Sequence, residues 1–326
     1  MKKILNFLIL LGMTGSVPTA FADVTATAPE PAPAELTLNI LFATAPDAIV
    51  DNTRELVADN AEYIASNNIF FINKVAKNKY KISDIPVELD LISGSSILGF
   101  GLDLSTNMHI SIMGMANISL NTQECNDFDG FYHKSLGVST VATYKLTDNL
   151  SISLGLDAGQ LTYLASEKDT FGGKTGVFTY GGFAKVNQNI NLSDNANLNL
   201  YAAYLYGHCN SLNIATDGGN GYLNIPAINN HRIKLGSKLH YRFGMLTPFI
   251  GGSFERVLNN DFAITGVSSD KDPIIKCPIK LNGNRFALEA GTKIDFTKRF
   301  SGKISAEKYF GINKGFGGNL SLAYKW

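Results

Sequence analysis

The chain has 326 residues, with 28 Lys and Arg balanced by 28 Asp and Glu, so its formal net charge is zero. This balance leaves no electrostatic footprint for nucleic acid and argues against a nucleic-acid partner. Charged residues make up 17% of the chain, below the roughly 25% that is usual for a soluble domain. The 31 Gly, 20 Phe and 13 Tyr, against 10 Pro, suit many short membrane strands joined by small turns.

Residues 1–22 have the features of a secretory signal peptide. Lys2 and Lys3 precede an apolar run, and Ala20, Phe21 and Ala22 form a small-x-small cleavage site. No later stretch reaches the roughly 18 apolar residues that a membrane helix needs. We therefore predict an exported mature protein without a membrane helix.

Residues 23–80 are predicted to be a short N-terminal linker and helix segment. A Pro/Ala-rich linker comes first. Asn52 and Glu55 then have the spacing of a helix-capping box. We expect a helix over about residues 53–66. Two placements remain open: a helix on the periplasmic side, or a plug threaded into the domain that follows.

Residues 81–326 alternate between apolar and polar positions almost without interruption. A period of two predicts strands with one apolar and one polar face. The apolar rows lie at 87–91, 98–104, 110–118, 136–144, 150–156, 178–186, 198–206, 231–243, 246–254, 285–296, 300–310 and 315–326. These rows predict an all-β fold, a twelve-stranded antiparallel transmembrane β-barrel preceded by a short N-terminal helix.

The row at 231–243 indicates which face of the strands contacts water. It interleaves apolar side chains with the basic residues Arg232, Lys234, Lys238, His240 and Arg242. Each charge would cost on the order of 2–4 kcal/mol on the lipid side near the midplane, so these groups must point into the lumen. Other predicted lumen-lining residues are Asp103, Asp157, Glu255, Arg285, Glu289, Lys293 and Asp295. The charges either pair and fill the lumen or line a path for anions or an extended polypeptide.

The connections between rows alternate in length. If the first strand runs outward, the inner turns are 105–107, 147–149, 189–195, 244 and 297–299, and the outer connections are 93–95, 121–131, 165–173, 209–227, 258–282 and 311–314. Short inner turns and longer outer loops are typical of outer-membrane barrels. Cys125, Cys209 and Cys277 then fall on outer loops. Cys209 could form a disulfide with Cys277 or with Cys125, or the thiols stay unpaired.

Motifs for catalysis are absent from the sequence. It has no nucleophile elbow, HExxH, Walker loop or CxxC. Its five His residues are dispersed, and none lies at metal-ligand spacing from another. We therefore predict that the protein is not an enzyme and uses no cofactor and no metal.

The last strand ends on an aromatic residue. Trp326, Tyr324, Leu322 and Leu320 share one face. This tail resembles the assembly signal with which many bacterial outer-membrane barrels end.

The rows from residue 95 onward resemble the translocator barrel of autotransporters, which closes with twelve strands. The matching segments are SSILGFGLDLSTNMHISIMGMANISL, HRIKLGSKLHYRFGMLTPFIGGSFER, RFALEAGTKIDFTKRFSGKISAEKYFG and the aromatic terminus. The resemblance implies a polar-lined pore in the outer membrane of a Gram-negative-type bacterium, one that holds or exports its own short N-terminal segment. It also implies contact with outer-membrane lipid, the barrel assembly machinery and periplasmic chaperones. We expect a monomer.

One feature departs from the autotransporter pattern. The family carries a large passenger ahead of the barrel, whereas residues 23–80 hold no repeat. We therefore expect a short passenger or none. Asn67 and Asn68 resemble the junction at which some members cut themselves, but their flanks differ, which favours a plain helix end. The alternative function is a self-contained outer-membrane channel or surface-interaction barrel without passenger secretion.

Overall fold

The computed structural model describes residues 53–81, 88–121, 132–164, 174–215, 221–258, 261–268, 273–280 and 282–326. The predicted signal peptide and linker therefore lie outside the described residues, as does Cys125.

Strands dominate the described part of the chain. They are β1 (Asn68–Lys81), β2 (Glu88–Asp103), β3 (Met108–Asn121), β4 (Tyr132–Thr147), β5 (Leu150–Leu164), β6 (Lys174–Asn191), β7 (Ala196–Cys209), β8 (Leu212–Ala215), β9 (Gly221–Ile225), β10 (Ile228–Tyr241), β11 (Leu246–Leu258), β12 (Asp261–Ser268), β13 (Pro273–Lys280), β14 (Gly283–Asp295), β15 (Phe300–Gly311) and β16 (Asn313–Lys325). All except β8, β9, β12 and β13 form one closed antiparallel barrel, in which β16 pairs with β1. The predicted twelve-stranded antiparallel barrel is confirmed.

A short helical segment precedes the barrel. Residues 53–59 are helical, Asn60 makes a turn, and a second helix spans Ala61–Ile64. We call residues 53–64 the lumenal helix. The chain then enters β1 at Asn68. Within the described residues, no helix is long and apolar enough to cross a membrane.

The predicted strand count agrees with the structure because two errors compensate. The rows at 87–91 and 98–104 belong to one continuous strand, β2, so the outer connection predicted at 93–95 is wrong. Conversely, β1 was not predicted, and the barrel begins at Asn68 rather than at residue 81. The start of β1 does not alternate between apolar and polar residues, because both of its faces are apolar. Phe70 points inward and is 1% exposed, whereas the neighbouring Ile69 points outward and is 50% exposed.

The strands expose one apolar face around the outside of the barrel. On β10, Ile233 and Leu235 are exposed, whereas the intervening Arg232 and Lys234 are buried. The same alternation recurs on β2, where Leu98 is exposed and Ile97 is not. A continuous exposed apolar band is what lipid requires of a spanning barrel. The row at 87–91 is the exception, because its Leu91 points inward and is buried.

The two ends of the barrel differ. At one end, which we call the turn end, residues 104–107, 148–149, 192–195, 242–245 and 296–299 make short turns. At the opposite end, the loop end, β8 and β9 lie in the connection between β7 and β10, and β12 and β13 lie in the connection between β11 and β14. These four short strands form a separate sheet in the order β13-β12-β9-β8. The predicted outer loops 209–227 and 258–282 are therefore partly strand.

Candidate functional site

The lumenal helix lies inside the barrel and is enclosed by it. Leu56, Ala61 and Ile64 have no exposed surface, and Val57 is 1% exposed. Residues 53–58 are all buried, which requires walls on every side of this part of the helix. The barrel supplies two walls of opposite character.

One wall is apolar. We define the apolar wall as the inward residues Phe70 and Ile72 of β1, Ile97 of β2, Met113 of β3, Val141 of β4, Phe183 of β6, Ala203 and Leu205 of β7, and Ala323 of β16, which pack in one cluster with Leu56, Val57, Ala58, Ala61 and Ile64. A water-filled pore would carry polar side chains at such positions. On this side the lumen therefore resembles the core of a soluble protein, with the helix at its centre.

The other wall is charged. We define the charged wall as Lys74 of β1, Arg232, Lys234 and Lys238 of β10, Glu255 of β11, Arg285 and Glu289 of β14, and Lys303 and Glu307 of β15. These are six cations and three carboxylates. Within the wall, Lys238 pairs with Glu289 at 2.5 Å, and Arg285 pairs with Glu255 at 2.8 Å.

Glu55 of the lumenal helix is the centre of this wall. Its carboxylate accepts a hydrogen bond from Lys234 Nζ and is paired with Arg285 Nη2, both at 2.6 Å, and Arg232 Nη1 lies 3.9 Å away. Asp59, one helical turn later, accepts from the same Lys234 Nζ at 2.9 Å. The helix thus adds two carboxylates to a wall that has an excess of three cations.

The charge of Glu55 is stabilised where it lies. Burial by itself would raise the pKa of its carboxyl group, but Arg285 and Lys234 together hold that pKa well below its usual value. The carboxylate is therefore ionised at neutral pH, as the ion pairs require.

Two further contacts tie the helix to the opposite side of the barrel. Arg54 donates from Nε and Nη2 to the two oxygens of Asp157, at 2.8 and 2.6 Å, in a bidentate pair. Gly181 leaves the space for this side chain, because a Cβ there would overlap the Arg54 guanidinium group. Lys185 Nζ donates to the carbonyl oxygen of Ala58 at 3.1 Å.

The end of the helix is fixed at the turn end of the barrel. The hydroxyl group of Tyr63 donates to the carbonyl oxygen of Ser301 at 3.2 Å, and Ser111 Oγ donates to the carbonyl oxygen of Ile64 at 2.9 Å. Asn67 Oδ1 accepts from the backbone N–H of Asp103 at 2.6 Å, and Asn68 Nδ2 donates to Ser66 Oγ at 3.0 Å. The side chains of both Asn residues thus hold the junction between helix and barrel.

Seven of the twelve residues predicted to line the lumen lie in the charged wall or contact the lumenal helix. Arg232, Lys234, Lys238, Glu255, Arg285 and Glu289 lie in the charged wall, and Asp157 binds Arg54. The remaining predicted residues lie near the turn end. Asp103 pairs with His109, Lys293 pairs with Asp295 at 3.0 Å, and His240 lies 5.3 Å from the ring of Phe249. Arg242 follows the end of β10 and is exposed.

Several lumen residues were not predicted. Lys74 lies on the unpredicted β1, where it pairs with Glu307 at 2.8 Å. Lys185 and Lys303 lie on predicted strands at inward positions. Their alternation with the outward apolar residues of β6 and β15 was the signal that could have identified them.

Comparisons with known proteins agree with this architecture. A family model described as the autotransporter β-domain matches residues 93–307. The translocator domain of the autotransporter NalP from Neisseria meningitidis superposes with a TM-score of 0.65 at 11% identity, over 88% of this chain and 99% of that one. The β-domain of the Bordetella autotransporter BrkA gives 0.60 at 12% identity, over 80% and 100% of the two chains.

A third structure, the transport unit of the autotransporter AIDA-I from Escherichia coli, gives a TM-score of 0.58 at 13% identity, over 84% of this chain and 99% of that one. A search of curated protein sequences found no match. At these identities the superpositions show a shared barrel fold.

Proposed function

Because the chain belongs to the autotransporter β-domain family of outer-membrane barrels, we propose that its lumen is a translocator-type pore that holds its own N-terminal helix as a plug. The observation that carries this proposal is the position of Glu55, bonded to Lys234 and Arg285 at 2.6 Å each. The charged wall has six cations and only three carboxylates of its own, and cations covered by the helix need partners, which Glu55 and Asp59 supply. The wall is therefore built to receive an acidic segment.

The direction of the helix supports export of the segment that precedes it. Arg54 is bound to Asp157, midway along β5, whereas Ile64 is bound to Ser111 near the turn end. The helix therefore points its N-terminus away from the turn end, which in outer-membrane barrels faces the periplasm. We propose that residues before the helix reach the cell surface through the lumen.

A protease experiment tests the direction of export. An epitope tag is inserted after residue 22, and intact cells are treated with a protease that cannot cross the outer membrane. Loss of the tag is expected. Full protection of the tag on intact cells, with cleavage after lysis, would indicate a periplasmic N-terminus and contradict export.

Planar-bilayer conductance tests the plug. Deleting residues 23–66 while keeping the signal peptide removes the helix and should raise conductance severalfold with a preference for anions, because the remaining wall has three excess cations. Deleting residues 23–50 is the matched control, since it shortens the chain and leaves Arg54, Glu55 and Asp59 in place. Equal conductance of the two deletion variants would rule out a plug.

We also propose how the barrel is assembled and that it has no catalytic role. Trp326, Tyr324 and Leu320 are 53%, 46% and 37% exposed and continue the outward face of β16, with Leu322 partly buried between them. Assembly machinery and periplasmic chaperones would recognise this face before β16 closes on β1, giving a monomer. Deleting Trp326 should lower the fraction that shows heat-modifiable mobility on gels. An unchanged fraction would argue against the signal.

A second candidate function rests on the loop end. There β8, β9, β12 and β13 form a sheet of their own, which gives the barrel a built surface for interaction. Removing residues 210–227 and 259–282 should abolish binding to a surface partner and leave the conductance unchanged. If the removal changed the conductance instead, these connections would act on the pore, and the first function would be favoured.

A further inference from the structure

The lipid-facing side of the barrel carries a cluster of lysines at the seam where β15, β16 and β1 meet. Lys77 and Lys308 flank Phe316 in register across β16, and Lys79 lies directly opposite Lys314. All four lysines are exposed, and they alternate with buried residues that face the lumen. We call these four residues the seam cluster.

The charges of this cluster are mostly uncompensated. Lys79 Nζ pairs with Asp90 at 3.1 Å. Among the described residues, Lys77, Lys308 and Lys314 have no ion-pair partner. Like charges placed opposite each other across a strand pair repel. An arrangement of this kind is stable where an anion neutralises it.

The height of the cluster identifies the environment of that anion. Lys314 precedes Tyr324 by ten residues on β16. At about 3.3 Å per residue and a strand tilt of about 40°, this places Lys314 about 25 Å from the aromatic residues at the turn end. The apolar band of an outer-membrane barrel is also about 25 Å tall. Lys77 and Lys308 lie slightly lower, and their long stems carry the ammonium groups upward to the headgroup level.

From these observations we propose that the seam cluster binds the phosphate groups of a glycolipid in the outer leaflet. The ligand is a lipid rather than free phosphate, because exposed Phe316 lies between Lys77 and Lys308 and exposed Val75 lies below Lys77 on β1. These two side chains are 59% and 54% exposed and would contact the acyl chains of the lipid. Clustered lysines at a membrane surface attract anionic lipid headgroups. This site is independent of the plug in the lumen.

Binding of lipid A to the full-length folded protein tests the proposal. Bisphosphorylated lipid A in mixed micelles is titrated against the wild type and against a Lys77→Gln, Lys308→Gln, Lys314→Gln variant. The variant should bind at least tenfold more weakly. The matched control, Lys145→Gln, Lys298→Gln, Lys325→Gln, removes three exposed charges at the turn end and should stay within twofold of the wild type. Equal binding by the seam variant, or equal loss in the control, would overturn the proposal.

A second measurement needs no variant, so it holds even if the seam variant fails to fold. Wild-type protein should bind dephosphorylated lipid A at least tenfold more weakly than the bisphosphorylated form. Inorganic phosphate at the same concentration should not displace the lipid. Equal affinity for the two lipid forms would exclude phosphate recognition, and displacement by inorganic phosphate would indicate a free-phosphate site instead.

Discussion

The two walls of the lumen hold the same helix by different physics. The apolar wall contacts Leu56, Val57 and Ile64 through burial, which is not directional and tolerates small shifts along the barrel axis. The charged wall is directional, because Lys234 must reach Glu55 and Asp59 together. Buried ion pairs contribute little net stability but make wrong arrangements costly. From this difference we expect the apolar wall to supply most of the affinity for the helix and the charged wall to set its register.

The largest effect is expected from a substitution at the centre of the charged wall. Glu55→Gln leaves Lys234, Arg285 and Arg232 without their shared charged acceptor. Removing one partner of a buried ion pair costs about 3–5 kcal/mol, so the ratio of unplugged to plugged barrels should rise by roughly two to nearly four orders of magnitude. Single-channel recording measures that ratio as open probability.

Glu62→Gln is the matched control for this variant. Glu62 lies on the same helix and accepts only a long hydrogen bond, 3.4 Å, from Asn199 among the contacts described. Its open probability should stay close to that of the wild type. Similar opening by the two variants would show that helix charge in general, and not the central position of Glu55, holds the plug.

The next largest effect is expected from a substitution that weakens packing against the apolar wall. Leu56→Ala removes a fully buried side chain from the cluster and should weaken plug binding by about 3 kcal/mol through lost burial and a residual cavity. The same recordings measure it, and Leu56→Met, which keeps the volume, should cost under about 1.5 kcal/mol. If Leu56→Ala opened the pore no more than Leu56→Met, the apolar wall would not supply affinity.

A smaller effect is expected from the ion pair between Arg54 and Asp157, and it tests whether an ion pair outside the charged wall contributes affinity for the helix. Asp157→Asn keeps one acceptor for Arg54 but removes its countercharge, and should cost about 2 kcal/mol of plug binding. The double variant Arg54→Met, Asp157→Leu replaces the pair by apolar groups and should return close to wild-type closure. A double variant as open as the single one would mean that this pair contributes affinity in its own right.

The smallest expected effect concerns pH. In the charged wall the pKa of Glu55 lies well below its ordinary value, because the effect of burial is outweighed by Arg285 and Lys234. If the carboxyl group has its ordinary pKa of about 4.3 outside the barrel, its contribution to plug binding is complete above that pH and is lost only as pH falls through the lowered value. Open probability should therefore stay constant between about pH 5 and 8. Opening within that range would assign the attachment to a group other than Glu55.

Much of the barrel could be predicted because strand alternation is a local property. The row containing Arg232 and Lys234 could be assigned to the lumen from the cost of charge in lipid alone. The same reasoning failed for β1, where Phe70 and Ile72 are apolar yet point inward. Their pattern makes sense only with the lumenal helix in place. Helix formation near Glu55 was predicted, but two placements of that helix remained open.

The sequence by itself determined the membrane-facing surface, the barrel class and the inward direction of the basic row, since each follows from residues close together in the chain. The correct number of strands was reached only because a split β2 compensated for the unpredicted β1. Only the tertiary structure decided what fills the lumen. The contact between Glu55 and Lys234 joins residues 179 positions apart, and it exists because closure of β16 on β1 completes a circle around the helix. Local periodicity cannot predict such a long-range contact, because the alternation pattern of a strand is the same whether its inward side chains contact water or a helix.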